Sequence, residues 1–177
     1  AQVSNEPDAL LVGAPFEGWN GYTMTGPGMA YYVPGTTTTG TSAIDGFALR
    51  ILVGHLNIHF GKTISGGDVN GDGVDDMLVG APHYDGETTT DAGAVFLYDG
   101  ALLEDRTTLP LGSSILYTAY SFRAEGEYTD DHAGNGSEIM GDVNLDGEAD
   151  IGVGATWNAS GGTYAGAVYI VLSSHQL

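Results

Sequence analysis

The apolar residues of this chain come in short bursts that end on small residues. Asp8-Ala-Leu-Leu-Val-Gly13-Ala14-Pro15, Met77-Leu-Val-Gly80-Ala81-Pro82 and Ile151-Gly-Val-Gly154-Ala155-Thr156 form one set. Each is followed by a second burst, in Gly28-Met-Ala-Tyr-Tyr-Val33, Asp91-Ala-Gly93-Ala-Val-Phe-Leu-Tyr98 and Tyr164-Ala-Gly166-Ala-Val-Tyr-Ile-Val171. Such runs read as strands entered or left through glycine turns, and no segment long enough for a helix carries an apolar stripe of helical period. With 29 glycines in 177 residues, the pattern predicts an all-β protein of antiparallel strands.

The bursts are parts of a repeat. The stretch from Phe60-Gly61 through Asp68, Asn70, Asp72, Gly73 and Asp76 to Gly80-Ala81-Pro82 returns from Ala133-Gly134 through Asp142, Asn144, Asp146, Gly147 and Asp150 to Gly154-Ala155-Thr156, and Asp142 follows Asp68 by 74 residues. An earlier copy keeps its strands but has Ala1, Val3, Asn5 and Ala9 where the later copies have Asp68, Asn70, Asp72 and Asp76, so no metal is expected there. The reading is a single all-β repeat domain over residues 1–177: a partial repeat with a connecting strand (1–59), a second repeat (60–132) and a third (133–177), together part of a larger assembly. The threonine-rich stretch Thr36 to Ser42 reads as an exposed loop ahead of the alternative, a β-branched edge strand.

The acidic loops carry the chemistry. A tight loop curling round a hard cation presents every second residue inward, so oxygen ligands at alternate positions are what calcium requires. Asp68, Asn70, Asp72 and Asp76 would supply side-chain oxygens, Val74 its backbone carbonyl, and Gly73 the turn. In the second loop these roles fall to Asp142, Asn144, Asp146 and Asp150, to the carbonyl of Glu148, and to Gly147. Two calcium ions are therefore expected; magnesium favours fewer protein ligands and zinc favours His or Cys. An EF-hand would need a Glu at the twelfth loop position, where Val79 and Val153 stand, and a dockerin loop would run on into a helix rather than into strand-like apolar residues.

Phe60-Gly61, the Asp68 to Asp76 loop, Gly80-Ala81-Pro82 and Gly93-Ala-Val-Phe, in that order, resemble an FG-GAP repeat, the unit of integrin-α-type β-propellers. The resemblance implies blades of antiparallel strands, with calcium in the loops between blade strands stiffening the rim. It also implies further blades from the same or another chain, because about two and a half repeats do not close a propeller. Ala133 replaces the Phe and Thr156 the Pro of the motif in the last copy.

Charge narrows the partners. Four Lys plus Arg against 23 Asp plus Glu give a formal charge of −19, which repels nucleic acid and anionic membranes, and no apolar run is long enough to span a bilayer. Cysteine is absent, which removes disulfides, thiolate catalysis and Cys-based zinc sites.

Enzyme signatures are thin. Gly61-Lys62-Thr63 resembles the end of a P-loop, but Leu56 stands where that motif needs Gly. His55 and His59 read as ordinary strand histidines, and no Gly-x-Ser-x-Gly elbow exists. Asn135-Gly-Ser137 and Asn158-Ala-Ser160 are sequons that matter only in an exported chain. Trp19, Tyr22, Tyr31, Tyr32, Trp157 and Tyr164 lie near equivalent hairpin ends and either pack between blades or form a binding rim. The expectation is a non-enzymatic, secreted or cell-surface, calcium-stabilised module that binds a protein or glycan in adhesion. The alternatives are a structural subunit that assembles through open blade edges, and a propeller attached to a hydrolase or lyase.

Overall fold

In a computed structural model, the structure describes residues 9–18, 26–33, 50–55, 57–105 and 113–173. The Thr36 to Ser42 stretch, Trp19, Tyr22 and the loop positions of the earliest copy before Ala9 lie outside them. The described elements are eleven strands and one short helix in three sheets.

The first sheet runs β1 (Leu10–Ala14), β2 (Met29–Val33), β3 (Arg50–Val53), β7 (Ser113–Leu116), with β7 parallel to β3 and the other pairs antiparallel. The second runs β4 (Ile64–Gly67), β5 (Asp76–Ala81), β6 (Ala94–Tyr98), β8 (Phe122–Glu125), and the third β9 (Ala133–Gly141), β10 (Asp150–Ala155), β11 (Ala167–Val171), both antiparallel throughout. After β6, the Asp99 carboxylate accepts the Ala101 amide and caps the helix α1 (Gly100–Glu104).

The repeated hairpin of each sheet, β1–β2, β5–β6 and β10–β11, has one register. Ala14 faces Met29, Ala81 faces Ala94 and Ala155 faces Ala167. The sheets stack face to face, and strand alternation divides the side chains between two cores. Met77, Val79, Ala81, Phe96 and Tyr98 point into a core shared with Tyr32 and Phe60. Leu78, Val95 and Leu97 point the other way, into a core shared with Ile139, Ile151 and Val153. Every residue of β5 and β6 is accordingly buried. In β11 only alternate residues are covered, and Val168 and Ile170, the equivalents of Val95 and Leu97, are 75% and 58% exposed.

Glycine sets how closely the sheets approach. A Cβ on Gly13 would lie 2.2 Å from the Gly61 carbonyl oxygen, and one on Gly80 would lie 2.2 Å from that of Gly134. Gly93, at φ 76°, would meet the backbone of Ala133 at 2.3–2.4 Å and forms a parallel bridge to it, as Gly28 does to Phe60. The Phe60-Gly61 and Ala133-Gly134 pairs therefore seat against the glycines of the preceding sheet, and no larger residue fits there.

Candidate metal centre

Both acidic loops join paired antiparallel strands, residues 68–75 between β4 and β5 and residues 142–149 between β9 and β10. In the first, Asp68 Oδ1 accepts the amides of Gly71 (2.8 Å) and Asp72 (3.1 Å), and its Oδ2 accepts that of Gly73 (3.0 Å). Asn70 Oδ1 accepts the Asp72 amide and Asp72 Oδ1 the Val74 amide. The second loop repeats the pattern: Asp142 accepts from Asp146 and Gly147, Asn144 from Asp146, and Asp146 from Glu148. The alternate polar side chains thus fold inward over a coil of backbone, and Gly73 (φ 88°) and Gly147 (φ 102°) take the left-handed conformation of the turn. Gly71 is left-handed too, but its counterpart is Leu145 at φ 65°, 87% exposed.

Asp76 and Asp150 do something different. Both are buried, and each accepts backbone amides that close the base of its loop, among them those of Val69 and Gly100 for Asp76 and of Val143 and Ser173 for Asp150. Gly100 and Ser173 each lie two residues past the third strand of the hairpin set, so the same carboxylate ties loop, strand and strand exit together. Burial pushes the Asp76 carboxyl above its ordinary range, outweighing the amides of Gly100 and Val69. Burial acts in the same sense on Asp150, but hydrogen bonds from the Ser173, Val143 and Asn144 amides and the Ser173 hydroxyl hold it below that range.

The loops lie side by side. The Ala149 amide donates to the Asp68 carbonyl at 3.4 Å, and the buried Glu148 side chain lies over Gly71 of the neighbouring loop. Among the described residues, no loop aspartate has a Lys, Arg or His partner; the ion pairs there are His83–Asp91 and Arg123–Glu125. Carboxylates and amide oxygens gathered on a tight turn without a counter-cation fit a hard divalent ion.

The remaining sequence candidates separate. Gly61 donates its amide to the Gly80 carbonyl, extending the β4–β5 pairing, and Thr63 its hydroxyl to the Gly134 carbonyl of the third sheet, so Gly61-Lys62-Thr63 is a strand entry with one inter-sheet contact. Asn158 is 1% exposed, and its amide nitrogen, the atom a glycan would join, donates to Asp131 and Tyr169. Asn135 Nδ2 donates to Thr156. Tyr31 and Tyr32 are buried, whereas Trp157 and Tyr164 are exposed and pack edge to face at 5.5 Å.

Neither His55 nor His59 lies in a strand, in contrast to the sequence reading; His59 sits at φ 52° beside the Gly61 contact, a backbone conformation no strand provides. His59 belongs to a file of rings, Phe16–His59–His83–His132–Trp157–Tyr164, with successive centroids 5.0, 4.4, 4.6, 4.3 and 5.5 Å apart. Burial, and then the neighbouring His83, lower the pKa of both His59 and His132. Sequence reasoning missed this file. Its signal is positional: Phe16, His83 and Trp157 follow the Gly-Ala bursts, while His59 and His132 precede the pairs that seat against them.

Residues 60–98, from the Phe60-Gly61 contact through the first acidic loop to the end of β6, match the FG-GAP repeat family. The stretch is an FG-GAP repeat, and the three sheets, antiparallel except for the β3–β7 pair, are blades of the integrin-alpha propeller kind. The chain is 34% identical over 117 residues to integrin alpha-PS2 of Drosophila melanogaster, covering 63% of this chain and 8% of the integrin. It is 34% identical over 109 residues to integrin alpha-3 of Cricetulus griseus, covering 62% and 9%. Phosphatidylinositol-glycan-specific phospholipase D of Bos taurus is 33% identical over 118 residues, covering 66% and 13%, a match that assigns no catalysis to this chain. The chain spans about a tenth of the length of these relatives.

Proposed function

We propose that this protein is a non-enzymatic, extracellular or cell-surface module in which two calcium ions, one per acidic loop, fix the blade geometry while the propeller surface binds a protein or glycan in adhesion. Asp68, Asn70, Asp72, Asp76 and the Val74 carbonyl hold one ion; Asp142, Asn144, Asp146, Asp150 and the Glu148 carbonyl hold the other. The observation that carries the reading is the duplication of one inward-folded oxygen set in two hairpins. Each set lacks a cation among the described residues, so binding relieves like-charge repulsion. The resemblance to integrin alpha chains supports an adhesion role and a protein partner.

Thermal melts in calcium and in excess chelator test the metal. Calcium is expected to raise Tm by several degrees at saturating concentration, with a smaller rise in Asp72→Ala and in Asp146→Ala. Equal melting with calcium and chelator in the unsubstituted protein would sink the metal assignment.

The exposed Val168 and Ile170 on β11 favour a second reading, a structural subunit that packs on further blades. Association that grows with protein concentration in sedimentation and is lost in a Val168→Thr, Ile170→Thr double variant would favour it.

A further inference from the structure

We infer that His83, Asp91 and His132 form a binding site for a divalent transition-metal ion, best matched by zinc, at the seam between the second and third blades. One ligand atom from each, an imidazole nitrogen of either histidine and a carboxylate oxygen of Asp91, lies within 4.8 Å of the others. A tetrahedral ion with nitrogen and oxygen ligands at about 2.0–2.2 Å needs donors roughly 3.3 Å apart, so closing this set requires shifts on the order of 1 Å. His83 Nδ1 and Asp91 Oδ1 already stand at 2.9 Å. Two imidazoles and one carboxylate suit zinc and its neighbours in the first transition row and do not suit calcium, which takes oxygen alone.

The backbone holds the three groups in place. His83 follows Pro82 just past the end of β5, and Asp91 lies in the turn before β6. His132 comes from the next blade, immediately before β9. The His132 amide donates to the Asp91 carbonyl at 3.2 Å and the Ala133 amide to the Ala92 carbonyl at 2.9 Å, so the two segments are zipped together directly under the side chains. Asp91 (φ 49°) and His132 (φ 53°) both occupy the left-handed region, a conformation that aims their side chains off the line of the flanking strands.

Burial completes the site. His132 is buried, while His83 and Asp91 are about one-third exposed, which leaves one side open for ion entry and for a water or an outside ligand in the fourth position. The repeat does not impose this set. The positions equivalent to His83 hold Phe16 and Trp157, and Tyr164 stands where Asp91 does, so the ligands occur at one seam among the described residues. An ion here would couple a residue of one blade to two of its neighbour, adding a second kind of metal clamp at the ends of β5 and β9 opposite to those that carry the acidic loops.

Trp157 supplies the readout, since its ring lies 4.3 Å from that of His132. Chelator-stripped protein, held in excess calcium to occupy the acidic loops, is titrated with cobalt(II). One equivalent per chain is expected to bind, with visible absorption of a low-coordinate cobalt–imidazole site and quenching of tryptophan fluorescence, and zinc should reverse both. His83→Ala and Asp91→Asn should each weaken binding on the order of 100-fold. Asp72→Ala, in the acidic loop, should leave it unchanged, and Trp157→Phe should remove most of the quenching but keep the absorption. Absence of a stoichiometric cobalt site in the calcium-loaded protein would overturn the assignment. So would undiminished affinity in His83→Ala, whose position has ordinary backbone and whose fold is checked by its melt in calcium.

Discussion

Asp76 illustrates how one side chain serves two ends. Its carboxylate accepts the Val69 and Gly100 amides inside the protein, so removing it strands two buried donors at once. Asp76→Ala should lose about 2–6 kcal/mol in urea unfolding even in chelator, from about one to three kcal/mol for each of the two unsatisfied amides. Asp72→Ala in chelator should cost much less, because Asp72 is exposed. The two substitutions thereby separate the buried carboxylate's structural role from the metal-binding role proposed for both. Leu145 offers the opposite case. Glycine would relieve its left-handed backbone, and Leu145→Gly should gain about 0.5–1 kcal/mol by the same urea measurement. At this scale the alternating oxygens were legible because loop spacing alone states which side chains turn inward. The amide partners of Asp76 and Asp150 were not, since Gly100 and Ser173 come 24 and 23 residues later and meet them only once the hairpins have formed.

The hairpin is the unit that repeats, and its glycines are where repeats touch. Gly93 and Gly166 share a position and a φ near 75°, so an added Cβ strains both backbones alike, by about 1–2 kcal/mol. Only at Gly93 would that Cβ also strike a neighbouring blade, with Ala133 backbone atoms at 2.3–2.4 Å, whereas the nearest atom at Gly166 is 3.5 Å away. Gly93→Ala should therefore lower Tm far more than Gly166→Ala, and equal losses would show that the close approach of blades is not what the glycine permits. Phe60, fully buried against Phe96 and Tyr98, is expected to cost about 3–5 kcal/mol on truncation to Ala. The hairpin strands β1, β2, β5, β6, β10 and β11 were readable from apolar runs bounded by glycine. β7 was not, because Ser113-Ser-Ile-Leu116 lacks the motif's glycine frame and pairs in parallel with a strand some sixty residues earlier, an arrangement local pattern does not encode.

Across the whole molecule, the blades form a stack in which the second is covered on both faces and the third on one. Equivalent side chains are worth different amounts by position. Leu97→Ala should cost about 2–5 kcal/mol, whereas Ile170→Ala at the matching site should cost under about 1 kcal/mol. The all-β class and the repeat order followed from the sequence, while the neighbours that complete each core did not, since they depend on which faces meet. The ring file is the clearest instance: Phe16, His59, His83, His132, Trp157 and Tyr164 are scattered over nearly 150 residues and become adjacent only through blade stacking.

The one-sided cover of the third blade also sets the order in which the molecule opens. In a stack where each blade leans only on its neighbours, the least covered member frays first, and its backbone amides exchange with solvent through partial openings that leave the rest intact. Amides of β10 should therefore exchange faster than those of β5, although the two strands share a register and a motif. Any segment or partner that came to rest on Val168 and Ile170 would announce itself by slowing β10 and β11 while leaving β5 unchanged.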